Sequence, residues 1–394
     1  MSSRSHANAF AHAVLDRNGD ALARLADAEP AATLFLLDAA MRGLAFGVPP
    51  WVFMSMLDER PALRDWVEWA AEHDRVIRAG LEDAGRDADL LVLRSAYGVG
   101  DLSLVVGAGV SMSAGLPSWN ALVVEMIDRA LARSPDPGLA QARAQLTTSA
   151  PQRADALRAA TETVHRTLGE AFGDQLSDAL YARSPTPSAL HAAIGGMLRP
   201  LVPPRTPRVH TILTYNFDDL LEQAALDRGH EPTVHVSVAG AADELRVGPA
   251  GAVDVYHVHG FRPSPGSTYA DAPVEHVDLV FSESGYRAAY GEDETWTKRA
   301  QAGVFGNSPS VFLGCSLGDD ESVTQLTAAH RRHPGWFNYA VLARSDDSGR
   351  DYRELGLHVL WARDHDEIPE LVEAMTASVE QPLVPRLPLA AVSA

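Results

Sequence analysis

An apolar strand that runs directly into a glycine turn limits the possible folds of this chain more than any other feature. The segment LSLVVGAGVSMSAGLPSWNAL begins at Leu102, and its turn glycines are Gly107, Gly109 and Gly115. Their spacing differs from the dinucleotide fingerprint GxGxxG, and no GK[ST] follows as in a Walker-type loop. Glycines directly after a strand let the backbone approach a pyrophosphate, and the amides at a helix start favour an anion. The turn is therefore a candidate anion site, and a tight bend without a ligand is the alternative.

From Asp101 onward, apolar strands alternate with amphipathic helices, which is typical of parallel α/β sheets. The predicted strands are Leu102–Val106, Val209–Leu213, Val253–Val258, Val311–Leu313, Tyr339–Leu342 and His358–Trp361. The predicted helices are Trp119–Arg133, with Ser118 as N-cap, Asp218–Arg228, Glu321–Arg331 and Ile368–Met375. The expected fold class is α/β, with a Rossmann-like parallel sheet flanked by helices.

The pattern also predicts how the 394 residues divide. Residues 1–95 carry apolar side chains at three- and four-residue spacing, which predicts an N-terminal helical domain. The α/β domain is expected over residues 96–380, with a helical insert at about 137–200 and a second insert at about 261–307. Residues 381–394 are expected to be a mobile, proline-rich tail.

Composition excludes several classes of function. The net charge of −19 argues against direct nucleic-acid binding, since phosphate contacts need clustered Lys and Arg. The single cysteine, Cys315, cannot form a disulfide framework or a cysteine-ligated zinc site within the chain. The sequence shows neither the apolar core of a signal peptide nor a run long enough for a membrane span, so a cytoplasmic protein is expected.

Polar residues stand where the second and third predicted strands end. The segment ILTYNFDDLLE places Thr214, Asn216, Asp218 and Asp219 at the strand-to-helix junction, the edge at which open α/β sheets bind ligands. Either aspartate could instead be only a helix cap.

The segment DVYHVHG places His257 and His259 at the end of the next strand. Residues two apart on a strand share a face, so a metal-binding pair is conceivable. No third ligand of suitable spacing is evident, and Gly260 suggests a turn that leaves His259 at the mouth of the cleft. No metal is therefore expected.

The order of these motifs carries a resemblance to a known family. GAGVS with GLPSW, then TYNFDD, then HVHG and then FLGCSLGDD resembles the sirtuin-like superfamily in its bacterial branch, over about residues 101–375. The resemblance implies an NAD-binding Rossmann-type fold. It also implies that Gly107, Ala108, Gly109 and Ser111 surround the pyrophosphate, and that Gly314 and Ser316 lie near the adenosine ribose.

The resemblance assigns the catalytic roles as well. Asn216 matches the asparagine that holds the nicotinamide ribose and a water molecule, and Asp218 matches the aspartate that faces the nicotinamide amide. His259 matches the histidine that acts on the ribose hydroxyls. Thr214 belongs to the same cofactor-binding segment, in which Tyr215 replaces the glutamine of the family's TQN.

Departures from the family separate this chain from the deacylases. GLPSWN replaces the GIPDFR-type segment, and the four cysteines of the zinc ribbon are missing. The chain is therefore more similar to the sirtuin-like NAD glycohydrolases of bacterial antiphage defence, which cleave NAD⁺ in abortive infection. That resemblance implies NAD⁺ as substrate, a homo-oligomer and a possible HerA-type ATPase partner.

Two other functions remain open: a module that senses NAD or a related nucleotide without turnover, and a zinc-free deacylase or ADP-ribosyltransferase. Uncontrolled NAD⁺ hydrolysis would poison the host, so a gate is expected. Trp119 either walls the nicotinamide pocket or belongs to the core. In the second insert, SGYRAAY presents Tyr286, Arg287 and Tyr290, which either cover the cleft or simply pack.

Overall fold

The computed structural model describes most of the chain after residue 101. The described residues are 102–147, 154–198, 209–238, 244–247, 253–274, 277–291, 294–307, 309–317, 320–332 and 338–376, with helix α1 (Gly19–Ala28) and a few isolated positions before residue 102. The chain divides into two compact units, Met1–Ser95 with Ala377–Ala394, and Ala96–Thr376. Most of the predicted N-terminal helical domain and the predicted tail lie outside the described residues.

The second unit is built on one sheet. Among the described residues its strands are β1 (Leu102–Val106), β2 (Val209–Thr214), β3 (Pro232–Ser237), β4 (Glu244–Val247), β5 (Val253–His257), β6 (Ser310–Leu313), β7 (Asn338–Ala343) and β8 (Leu357–Ala362). Their order is β4-β3-β5-β2-β1-β6-β7-β8, and only the β3–β4 pair is antiparallel. The run β5-β2-β1-β6-β7-β8 has the doubly wound Rossmann order. The predicted α/β class is confirmed.

Helices flank this sheet. After α1, the described helices are α2 (Ala108–Ser113), α3 (Trp119–Arg133), α4 (Pro137–Thr147), α5 (Ala154–Leu168), α6 (Phe172–Tyr181), α7 (Ala189–Met197), α8 (Leu220–Leu226), α9 (Glu283–Tyr290), α10 (Trp296–Asn307), α11 (Asp320–Arg332) and α12 (Ile368–Thr376). Short 3-10 helices cover Gly169–Ala171, Arg344–Asp346, Tyr352–Leu355 and His365–Glu367. No helix in these described parts is long and apolar enough to cross a bilayer.

The central strands formed the clearest sequence signal because both faces of the sheet are covered. Every residue of β1 is buried, and β7 is buried throughout as well. Strands of that kind read as continuous apolar runs. The predicted α3 has the observed bounds, and the Ser118 hydroxyl caps it by accepting a hydrogen bond from the Ala121 amide at 3.3 Å.

Four elements differ from the sequence prediction. The strand β3 and the edge strand β4 were missed, because PTVHVS and ELRV are short and mix polar with apolar residues. The helix predicted at Asp218–Arg228 is the shorter α8, which leaves both aspartates of the junction before its first residue. In the region predicted as a second insert, α10 leads directly into β6 and is the crossover helix of that strand.

Phe281 joins the two inserted regions to the core. Its ring lies 5.1 Å from that of Trp119 on α3 and 5.2 Å from that of Phe172 on α6, measured between centroids. Only 1% of Phe281 is exposed. Large aromatic side chains at such contacts dominate the energetics of a core.

We predict that Phe281→Ala lowers the free energy of unfolding by about 3–5 kcal/mol, because it leaves a cavity between three packed elements. Met112→Ala is the control, since Met112 is 47% exposed, and it should change stability by less than about 0.5 kcal/mol. Chemical denaturation followed by tryptophan fluorescence measures both variants. Equal effects would contradict the assignment of Phe281 to the core.

Candidate functional site

The carboxyl ends of four adjacent strands align in one row. Val106 of β1 pairs with Thr214 of β2 and with Leu313 of β6, and Thr214 pairs in turn with His257 of β5. The polar motifs follow these paired residues directly. The row includes the switch point beside β1, where the strand order reverses and open α/β sheets bind their ligands.

The glycine turn after β1 packs against the loop after β6. A Cβ added to Gly107 would lie 2.6 Å from the Gly314 oxygen, and one added to Gly109 would lie 2.8 Å from the Gly314 Cα. Gly314 itself has a φ of +63°, a conformation that favours glycine. The glycines are therefore required by the close approach of the two loops.

This packing uses several amides of the turn, and the expectation that the turn surrounds a pyrophosphate stays a prediction. The Gly107 amide donates to the Leu313 oxygen and the Gly109 amide to the Gly314 oxygen, both at 2.9 Å. The Val110 amide donates to the Gly107 oxygen at 3.1 Å. These three donors are already used in this conformation, so the first reason for the glycines is loop packing.

Asn216 ties the loop after β2 to the glycine turn. Its Nδ2 donates to the Gly107 oxygen at 3.0 Å and to the Ser111 Oγ at 2.7 Å. A carbonyl oxygen only accepts, so the contact with Gly107 fixes which end of the amide is nitrogen. Within the described part of the chain, the amide oxygen Oδ1 accepts no hydrogen bond. A rigidly held acceptor is therefore available at the sheet edge.

The Asn216 contact continues to Asp218. The Ser111 hydroxyl donates to the Asp218 Oδ2 at 2.6 Å, and the Leu220 amide donates to Oδ1 at 3.2 Å. Burial raises the pKa of Asp218 to about 6, although both of these hydrogen bonds act to lower it. Asn216, Ser111 and Asp218, which the sequence singled out separately, are thus joined by hydrogen bonds.

His257 does not face the same groups as His259. Its Nδ1 donates to the Asn216 backbone oxygen at 2.9 Å, and its Nε2 lies 2.7 Å from the Glu222 Oε1. Both side chains of this pair are fully buried. Burial alone would lower the pKa of His257, but the Glu222 carboxylate and the Asn216 carbonyl raise it above its usual value. Both ring nitrogens of His257 are engaged in this arrangement, so neither is open to a metal.

His259 follows β5 in a turn and is 7% exposed. Its Nε2 lies 3.0 Å from the Tyr290 hydroxyl on α9. The rings of Tyr215 and Tyr286 meet its ring edge to face, at centroid distances of 5.0 and 5.6 Å. The SGYRAAY segment therefore reaches this histidine through two tyrosines, while Arg287 is exposed and pairs with Glu283 on its own helix.

The remaining predicted binding residues have different surroundings. Thr214 is fully buried, and its hydroxyl donates to the Val106 oxygen and accepts from the Asn216 amide. It positions Asn216 and presents no surface to a ligand. Trp119 is partly buried against the aromatic core. Ala108 and Ser316 are exposed on the glycine turn and on the loop after β6.

Asp219, the second aspartate of the junction, has a structural role. It is fully buried, and its Oδ1 accepts hydrogen bonds from Gln223 Nε2 at 2.9 Å and from the Ser264 amide at 3.0 Å. The Tyr181 hydroxyl of α6 lies 3.3 Å from the same oxygen and donates to the Arg262 oxygen at 2.6 Å. These bonds attach the helical insert to the loops that follow β2 and β5.

Sequence reasoning missed three polar residues around the site. Glu222 had a usable signal, because it is a lone charge in the apolar segment LLEQAAL of α8. Gln301 and Ser264 had none, since a single polar residue in a helix or loop is ordinary. No group of three or more His, Cys, Asp or Glu side chains within the described residues has a metal-binding arrangement.

Part of the chain matches a known protein family. Residues 210–362 match the family described as the SIR2-like domain. The matched segment runs from β2 to the end of β8, and it contains Asn216, Asp218, His259 and Gly314 but not the glycine turn. The match supports membership of the sirtuin-like superfamily and indicates NAD-related chemistry. No curated protein sequence matches the chain.

We predict that Gly109→Ala destabilises the protein by about 1–3 kcal/mol, because the new methyl group would overlap the Gly314 backbone. Gly303→Ala is the matched control, since a Cβ at this helical glycine meets nothing within 4 Å. That substitution should stabilise the protein by about 0.5–1 kcal/mol. Denaturant titration measures both, and a stable Gly109→Ala protein would show that the loops do not depend on their close approach.

We predict a pH-dependent stability difference between the native protein and Asp218→Asn. A carboxyl with a raised pKa in the folded state favours folding below its unfolded pKa and loses that contribution as the pH rises. The native protein should therefore lose about 3 kcal/mol relative to Asp218→Asn between about pH 4 and about pH 7. Denaturation curves across this range measure the difference. A constant difference, or one that grows in favour of the native protein, would contradict the burial of the ionised group.

Proposed function

We propose that this protein is an NAD⁺ glycohydrolase that cleaves NAD⁺ to nicotinamide and ADP-ribose. One observation carries the proposal: Asn216 is held from two sides by Gly107 and Ser111, with its amide oxygen directed to no other described group. Such a fixed acceptor at the switch point suits a water molecule or a ribose hydroxyl. The SIR2-like match supplies the link to NAD.

The reaction requires few groups from the protein. The bond between C1′ of the ribose and the pyridinium nitrogen breaks, and its electron pair goes to the nitrogen, so nicotinamide leaves neutral. The oxygen of water bonds to C1′, and one water proton is released. The transition state has oxocarbenium character, so the site must position the water and the ribose rather than supply a strong nucleophile.

Asn216 and His259 occupy corresponding positions for this task. Each lies two residues beyond the Thr214–His257 pair at the ends of adjacent parallel strands. In the proposed mechanism Asn216 orients the water, and His259 accepts its proton or a hydrogen bond from a ribose hydroxyl. Asp218, held by Ser111 beside Asn216, orients the carboxamide of the leaving nicotinamide.

The biological setting is also proposed from the sequence resemblance. We infer a cytoplasmic effector of abortive infection against phages that acts as a homo-oligomer, with a HerA-type ATPase as a candidate partner. Unrestrained hydrolysis would deplete the cell of NAD⁺. This setting therefore requires that the activity be controlled by a trigger or a partner. The second insert, which places Tyr286 and Tyr290 against His259, is the candidate gate.

We predict that the purified full-length protein releases nicotinamide and ADP-ribose from NAD⁺ in equal amounts, as followed by chromatography over time. Asn216→Ala should lower the rate by about 100-fold or more, because the water loses its fixed partner. His259→Ala should also lower the rate by about 100-fold or more, because the proton acceptor is lost. Binding of NAD⁺, measured by calorimetry, should be retained in both variants.

His230→Ala is the control, since His230 precedes β3 at the opposite edge of the sheet, and it should leave the rate unchanged. NAD⁺ consumption that requires an acylated peptide or another acceptor would identify a deacylase or ADP-ribosyltransferase. Binding without turnover, even with a HerA-type ATPase added, would identify a sensing module. Wild-type turnover in Asn216→Ala would overturn the assignment of the site.

A further inference from the structure

The second insert supplies a hydrogen-bonded support for His259 that the sirtuin-like motifs do not include. Tyr290 lies on α9 and Gln301 on α10, and both are buried, with 5% and 0% exposure. The Tyr290 hydroxyl is 3.0 Å from the His259 Nε2. The Gln301 Nε2 donates to that same hydroxyl at 3.3 Å and to the Tyr215 hydroxyl at 3.0 Å.

The chemistry of these groups explains why a hydroxyl suits this position. A tyrosine hydroxyl can donate one hydrogen bond and accept others, so Tyr290 can hold the His259 ring whether Nε2 is protonated or not. It accepts from Gln301 in both cases. The orientation of the imidazole is thereby kept while the ring gains and loses a proton.

Packing alone does not explain why a glutamine is buried at position 301. Its Oε1 has no hydrogen-bond partner within the described part of the chain, although the side chain is fully buried. An unsatisfied buried acceptor carries a desolvation cost that an apolar side chain of similar size would avoid. The gain from this amide must therefore come from its nitrogen, which links the hydroxyls of Tyr215 and Tyr290.

We propose that Tyr290 is a positioning residue for His259 and that Gln301 holds Tyr290 in place. The proposal rests on the proposed function, in which His259 acts on water or on a ribose hydroxyl. It assigns the second insert a direct part in turnover, because a shift of α9 would move the Tyr290 hydroxyl away from the histidine. Such a shift would lower activity without closing the NAD⁺ site.

Tyr290→Phe tests the proposal by removing one oxygen atom and keeping the ring. We expect kcat for NAD⁺ hydrolysis to fall about tenfold or more, with KM and NAD⁺ affinity changed by less than about twofold. Gln301→Met should lower kcat in the same direction by a smaller factor. Tyr269→Phe is the matched control, since the buried Tyr269 hydroxyl donates to the Pro232 oxygen away from the site, and it should leave kcat unchanged.

A second readout does not depend on turnover. The ¹⁵N spectrum of the histidine rings reports which ring nitrogen carries the proton, and the His259 signal is assigned by its absence in His259→Ala. Tyr290→Phe should shift the His259 ring nitrogens, whereas Tyr269→Phe should not. If the native protein releases no nicotinamide, the proposed function fails and this spectrum alone decides the positioning role. Unchanged His259 signals, or an unchanged kcat in an active protein, would overturn the proposal.

Discussion

The close approach of the glycine turn to Gly314 is the constraint on which the rest of the site depends. A side chain at Gly107 or Gly109 would overlap the backbone of the loop after β6. With hydrogen in its place, the loops that follow β1 and β6 meet at the switch point of the sheet and satisfy each other's backbone groups. The turn thereby places the Gly107 oxygen and the Ser111 hydroxyl where Asn216 can bind both.

Buried polar side chains continue from this contact along the carboxyl ends of the strands. The glycine turn binds the Asn216 side chain. The Asn216 backbone oxygen accepts a hydrogen bond from His257, which is itself hydrogen-bonded to Glu222. A buried charge pair is weak evidence for stability, since apolar residues often pack as well, but it can fix one conformation. The same region contains Asp218, whose raised pKa reflects how little water reaches it. The arrangement gives Asn216 few ways to move, which is what a group that positions water requires.

The sequence predicted the sheet and the edge of the site well, because both follow from local patterns. Apolar runs predicted the central strands, and parallel strands bring their carboxyl ends to one edge, so Asn216 and His259 could be placed together in advance. The partner of the Gly109 amide could not be predicted, because the Gly314 oxygen belongs to a loop that is distant in the sequence. Gln301 is 85 positions from Asn216 in the chain, and one polar residue in a helix has no pattern. The edge strand β4 was missed because ELRV lacks a buried apolar run.

The most direct test of the account is a crystal structure of the full-length protein with NAD⁺ bound, using Asn216→Asp to slow turnover if the native protein consumes the ligand. The account predicts the nicotinamide ribose at the switch point, within hydrogen-bond distance of residue 216 and beside His259, with the carboxamide facing Asp218. A dinucleotide bound elsewhere, or bound here in the reverse direction with its adenosine against Asn216 and His259, would contradict the proposed site.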